Sequence, residues 1–212
     1  KSFGAAAVEF EKTAYGYPLH EKSSEAGYAA VYSYREHLDA VEQEDKDTVK
    51  LEVVRSSLKF ADTFPKHEKA AIVLGAAADD LYKMKEYEQA LTTANKVLEV
   101  FPDTDVDVGR AAWLVIGHCS YELQRYSGSE TAYLKVLALL PAEDKTRKDL
   151  VDNLAASIYK QGELANTAQD YRAAADHFLR VGRMAPTSKI RPTAEYDAAA
   201  ALMDLKDWEM AA

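Results

Sequence analysis

The chain has 212 residues, 48% hydrophobic and 29% charged, enough apolar surface for a continuous core and too even a mixture for a disordered one. Its formal net charge of -9 argues against a phosphate-backbone binder, which needs clustered Lys and Arg, and fits a neutral to basic partner better. The longest apolar run, Ala70 to Ala78, is too short to cross a bilayer, so no transmembrane segment is expected, and a single cysteine, Cys119, excludes an internal disulfide.

Hydrophobic periodicity predicts helices throughout, within a few residues at each boundary. The first covers about 2–15 and ends before Pro18; the next two, about 23–42 and 48–63, flank the acidic turn Glu42 to Asp47 and end at Pro65. Helices at about 67–84 and 86–100 lead to Pro102. Asp107 is placed to cap a helix at about 107–123, which is followed by one at about 127–139 and Pro141. Helices at about 144–168 and 170–184 close at Pro186. Thr187 and Ser188 are placed to cap a helix at about 191–205 with Pro192 in its first turn, and a last one begins near 207.

Five of the six prolines, at 18, 65, 102, 141 and 186, close the same phrase. Fifteen residues back from four of them stand Phe3, Tyr87, Tyr126 and Tyr171, and twelve back Ala6, Ala90, Ser129 and Ala174. Eight back are Phe10, Ala94, Tyr133 and Phe178; five back are Thr13, Val97, Val136 and Val181. Such periodicity defines a repeat array. The phrase ending at Pro65 departs from it, with Lys50 at the aromatic place and Val53 at the small one, so a longer and less regular unit is expected there.

The phrase resembles the second helix of a tetratricopeptide repeat. The best unit runs Trp113, Ile116, Gly117, Tyr121, Tyr126, Ser129, Tyr133, Val136, Pro141, with Ser120 where the family usually has tyrosine. The unit before it runs Leu74, Ala77, Ala78, Leu81, Tyr87, Ala90, Ala94, Val97, Pro102. The resemblance implies an all-α, right-handed superhelical solenoid of antiparallel helix pairs over 1–212. Approximate units are 1–18 (partial), 21–65 (irregular), 66–102, 106–141, 144–186 and 189–212 (partial). The partial units at both ends read as a window cut from a longer array, with self-association through those ends a further expectation. In the 144–186 unit, forward and backward alignments differ by seven residues; an insertion Gly162 to Ala168, lengthening one helix into a protruding pair, reconciles them. Trp113 is expected in the core.

No catalytic, cofactor or metal site is expected. Asp103 to Gly109 has an acidic calcium-loop start, but its glycine comes one place late and Leu114 stands where the bidentate Glu belongs. His118 and Cys119 are adjacent on a helix and point about 100° apart, so they cannot act as a nucleophile pair. The resemblance does imply a binding groove lined by the opening helices: Tyr34, Asp79, Tyr82, Lys83, Leu114, His118, Tyr121, Asp152, Ala156, Tyr159 and Tyr196. Tyr34, Tyr82, Tyr121 and Tyr159 recur near the inner ends of four opening helices. Their rings serve either as a ladder for an extended or helical peptide or as packing between repeats, with packing the weightier reading. The family's clamp for a C-terminal carboxylate is missing, since the matching positions hold Gly75, Asp79, Leu114, His118 and Asp152.

The expected function is a non-enzymatic scaffold binding a peptide or protein segment. The alternatives are a structural or self-associating component, and the repeat region of an enzyme whose catalytic part lies elsewhere. Phe60 to Pro65 and Leu98 to Pro102 look like bacterial cell-envelope members of the family, which implies a periplasmic or envelope location, with the cytoplasm as the alternative.

Overall fold

The computed structural model describes residues 3–206 and Trp208. Among these residues there are ten α-helices and no strand. They are α1 (Phe3–Tyr15), α2 (Ser23–Ala40), α3 (Lys46–Thr63), α4 (Ala70–Lys83), α5 (Tyr87–Val100), α6 (Val106–Glu122), α7 (Tyr126–Leu139), α8 (Arg147–Thr167), α9 (Tyr171–Met184) and α10 (Arg191–Asp204). A single 3-10 turn, Gln43–Asp45, forms the acidic link between α2 and α3. Each boundary falls within a few residues of the sequence expectation. The final helix expected from 207 lies outside the described residues apart from Trp208.

Two compact units divide the chain inside α6, one spanning Lys1–Val115 and the other Ile116–Ala212. Within each, sequential helices pack as antiparallel pairs stacked side by side, the arrangement of an α-solenoid. Charged pairs show how the stacks are layered. In the first unit Glu11 of α1 accepts from Arg55 of α3 at 3.0 Å, and Asp62 of α3 pairs with Lys96 of α5. In the second unit Glu130 of α7 pairs with Arg180 of α9. Every one of these pairs joins two second helices, with the acid on the earlier one. The opening helices make their own layer: Arg35 of α2 meets Asp80 of α4 at 2.9 Å, and Tyr159 of α8 donates to Asp197 of α10 at 2.5 Å.

The buried stripe follows the proline count. Val53, Ser57 and Phe60 in α3, Ala90, Ala94 and Val97 in α5, Ser129, Tyr133 and Val136 in α7, and Ala174, Phe178 and Val181 in α9 are all buried. They sit at i, i+4 and i+7, one face of a helix. In α1 the stripe moves one place, to Ala7 and Ala14, leaving Phe10 exposed. The end of α1 differs too: it stops at Tyr15 with Gly16 and Tyr17 before Pro18, whereas α5 and α9 leave one residue before their proline. The unit ending at Pro65 is the longer one, with 18 residues in each of α2 and α3 against 14 in each of α4 and α5.

Two kinds of turn punctuate the array. Before Pro65, Pro102 and Pro186, the residues Phe64, Phe101 and Ala185 all leave the helix near φ −130° and ψ 58°, because the proline ring bars them from helical geometry. Between paired helices, Lys85, Gln124 and Gln169 adopt φ of 64°, 58° and 62°. Each is followed by an amide that reaches back five residues, from Glu86 to Leu81, Arg125 to Ser120 and Asp170 to Ala165. These are Schellman caps built without glycine.

The same turns locate the extra length of α8, which has 21 residues. Gly117 lies seven places before Gln124 and meets Tyr133; Gly162 lies seven places before Gln169 and meets Phe178. The segment after Gly162 is therefore the regular end of an opening helix. The added turns lie on its N-terminal side, not at Gly162 to Ala168 as the sequence alignment placed them.

Candidate partner-binding site

The opening helices turn one row of side chains outward. On α4 this row is Ile72, Ala76, Asp79 and Lys83, with Ile72 51% exposed and Lys83 donating to Asp79 at 2.6 Å. On α2 it is Tyr32, Glu36 and Asp39, with Tyr32 more than half exposed and its hydroxyl held by Glu36. On α10 it is Tyr196, Ala200 and Met203, with Tyr196 75% exposed. Tyr32, Ile72 and Met203 were not foreseen. The signal that could have found Ile72 and Met203 is their seven-residue spacing from Asp79 and Tyr196, which keeps them on the same helical face.

The tyrosines of the expected ladder divide by environment. Tyr34 is only 3% exposed: it packs on Ala7 and Val53, and Arg55 donates to its hydroxyl at 3.3 Å. It belongs to the core of α1, α2 and α3. Tyr82 and Tyr121 are half-buried and lean on the first residue of the following helix, Tyr87 at 6.0 Å and Tyr126 at 5.3 Å between ring centres. Tyr159 packs on Phe178 at 5.1 Å, and burial together with Asp197 pushes its phenol far above the usual range. Tyr196 alone of the expected tyrosines stands largely in solvent.

The remaining expected residues are drawn into local structure as well. His118 Nδ1 lies 2.7 Å from the Tyr133 hydroxyl with the rings edge to face, which holds α6 to α7. Asp152 accepts from the Ser188 hydroxyl at 2.7 Å and the Lys189 amide at 3.2 Å, tying α8 to the head of α10. Those bonds hold its carboxyl below the usual carboxylate range. Leu114 and Ala156 are half-buried. Trp113 is also half-buried and not in the core, because Ala112, Val115, Ile116 and Cys119 take the buried stripe of α6 and it lies beside that stripe.

Chemistry finds no purchase in the groups considered for it. Cys119 is fully buried, and desolvation raises its thiol to about 11, so it stays protonated and unreactive. The Asp103 to Gly109 segment is a capping turn in which Asp105, and not Asp107, accepts the amide of Asp107 at 2.8 Å; Asp107 pairs with Arg110. Neither Thr187 nor Ser188 caps α10: its N-cap is Ile190, and Ser188 accepts the Ile190 amide in the turn before the helix.

Two clefts at the loop edge of the first unit were not anticipated. One of about 590 Å³ lies over Phe64, Pro65 and Lys66. The other, about 310 Å³, lies over Ala71, Phe101 and Pro102, and His67 lines both. The His67 imidazole is fixed there, stacked on Tyr28 and accepting the Lys69 amide at 3.1 Å.

The stacked pairs, their recurrent caps and their layered ion pairs define a helical-repeat protein with an α-solenoid fold. No protein-family model and no curated protein sequence matches the chain. Among solved structures, the apo form of RapI is similar over 98% of this chain at 17% identity and a TM-score of 0.40. The chain spans 60% of the length of that protein, and a likeness so remote carries no inference about activity. Among the described residues, no helix is long and apolar enough to cross a membrane.

Proposed function

We propose that the chain is a tetratricopeptide-type scaffold that holds a segment of another protein against the outward rows of its opening helices. The observation that carries this reading is the contrast within those helices. Their polar groups are already bound to neighbouring helices, as in Arg35–Asp80 and Tyr159–Asp197, while Tyr32, Ile72, Tyr196 and Met203 remain open. Within either unit, exposed side chains held on a preformed row bind with little ordering cost, so a few anchors can set affinity. Glu36 and Asp39, on the same row as Tyr32, favour a neutral to basic segment. The work is grasping and not catalysis. The phrases at Pro65 and Pro102 support a place in the bacterial cell envelope, where the scaffold would serve assembly.

The test compares two faces. Ile72→Glu and Tyr196→Glu alter the outward rows, whereas Thr92→Glu and Thr131→Glu alter exposed positions on second helices. A partner recovered with the parent protein and identified by mass spectrometry is then titrated against all four variants. The outward-row changes should weaken binding at least tenfold and the others should leave it unchanged. Equal affinity for all four, with helicity intact, would remove the assignment.

A further inference from the structure

In the second unit Glu130, a carboxylate only 7% exposed, is buried on α7. One oxygen takes the Arg180 guanidinium of α9 and the other takes the Gln161 amide of α8 at 2.7 Å, so three helices meet on it. The other arm of the Arg180 fork lies 3.0 Å from Nδ1 of His177. A guanidinium can only donate, so Nδ1 is the acceptor and the imidazole is neutral, with its proton on Nε2. A protonated ring has no lone pair there and would face the guanidinium as a second cation.

We propose that this three-helix joint is acid-sensitive: protonation of His177 breaks its bond to Arg180, sets two cations against the single carboxylate of Glu130, and loosens α9 from α7 and α8. The groups acting on His177 can be named element by element. Glu130 faces it from α7, and α8 brings the neutral Gln161. Arg180 and Asp176 act from α9, and Asp170 from the turn before it. α10 brings Arg191 and Glu195, paired with each other at 2.6 Å, to Gly182, more than a turn further along α9.

The balance of these groups has a sign. Burial, then Arg180, lower the His177 pKa from its ordinary 6.5, outweighing the acids. A depressed folded-state value contributes stability in full above the unfolded value, and that stability is lost as pH falls through the folded one. The sensitive window therefore begins below about 6.5 and extends downward.

The experiment follows the thermal midpoint of the intact chain from pH 7.5 to 5 for the parent, His177→Gln and Glu130→Gln. The parent should lose ~2–4 °C that His177→Gln, which cannot gain a proton, does not lose. Glu130→Gln should lose more than the parent over the same range, because the compensating carboxylate is gone. Parallel curves for parent and His177→Gln would overturn the proposal. Should either variant fail to fold, the imidazole resonances of the parent decide: His177 titrating below its ordinary value, with Arg180 side-chain signals shifting in step, supports the joint. Titration at or above 6.5, or Arg180 signals indifferent to it, overturns it.

Discussion

A Cβ placed on Gly162 would lie 2.5 Å from Cε1 of Phe178, so α8 and α9 touch at a point where only glycine fits. Gly117 stands in the same relation to Tyr133, at 2.9 Å, and the matching pair in the first unit is Ala78 with Ala94, both buried. Where a large ring occupies the second helix, glycine stands opposite it; where both places are small, alanine is accommodated at each. Gly162→Ala should therefore destabilise by ~1–3 kcal/mol through overpacking. Phe178→Ala alone should cost about 3–5 kcal/mol. The double substitution, which recreates the Ala78–Ala94 pairing, should cost less than the two added together, by at least about 0.5 kcal/mol in a double-mutant cycle read by urea denaturation. Strict additivity would show that the two side chains do not share this space.

The caps at Lys85, Gln124 and Gln169 hold left-handed backbone without glycine. A Cβ is disfavoured there, and glycine is the residue that helices most often use at this place. Gln124→Gly should raise stability by ~0.5–1 kcal/mol, the relief of strain offset in part by added freedom in the unfolded chain. Gln124→Val, branched at Cβ, should lower stability. Thermal midpoints of the two variants should lie on opposite sides of the parent.

How far the sequence could be read follows from what each residue has to do. The prolines, the buried stripes of α5, α7 and α9 and the helix boundaries were legible, because a repeated burial pattern needs only periodicity; α3, set apart by Lys50, keeps the same stripe at Val53, Ser57 and Phe60. The one-place shift in α1 was not, since the count back from Pro18 puts Phe10 inward where Ala7 and Ala14 are the buried residues. Spacing alone assigns Gly162 to an insertion, because it cannot tell whether a glycine marks a turn or a close approach. The ladder tyrosines separated for a related reason. Tyr34 and Tyr196 have the same side chain at similar helical places, but only contacts with Ala7 and Val53 bury the former. Trp113 shows that a family-like position does not guarantee depth.

Ser56 and Ser57 of α3 are fully buried, and neither hydroxyl has a hydrogen-bond partner. Ser57 stands at the place held by Ala94 in α5. An unpaired buried hydroxyl costs its desolvation, and alanine is also the better helix former. Ser57→Ala and Ser56→Ala should each stabilise the protein by about 1 kcal/mol, measured as a higher urea midpoint at unchanged slope. A loss of stability in both would mean that these hydroxyls are bound.

Acid should also unlock the head of α10. The Ser188 hydroxyl and the Lys189 amide both donate to Asp152, and the first of these is the larger cause of its lowered pKa. A carboxyl whose folded-state pKa is depressed stabilises the fold fully above its unfolded value of 3.8, and the contribution fades as pH falls through the folded value. This window lies well below that of His177, so the two can be separated on one titration. Ser188→Ala removes the leading donor and should make the protein less stable at neutral pH. As pH falls through the folded value the carboxyl becomes protonated in parent and variant alike, and the difference between them should shrink. Asp152→Asn keeps the shape without the charge and should show the same convergence with the parent. A gap between parent and Ser188→Ala that stays constant while the Asp152 carboxyl is protonated would assign the serine's role to its bond with the Ile190 amide alone.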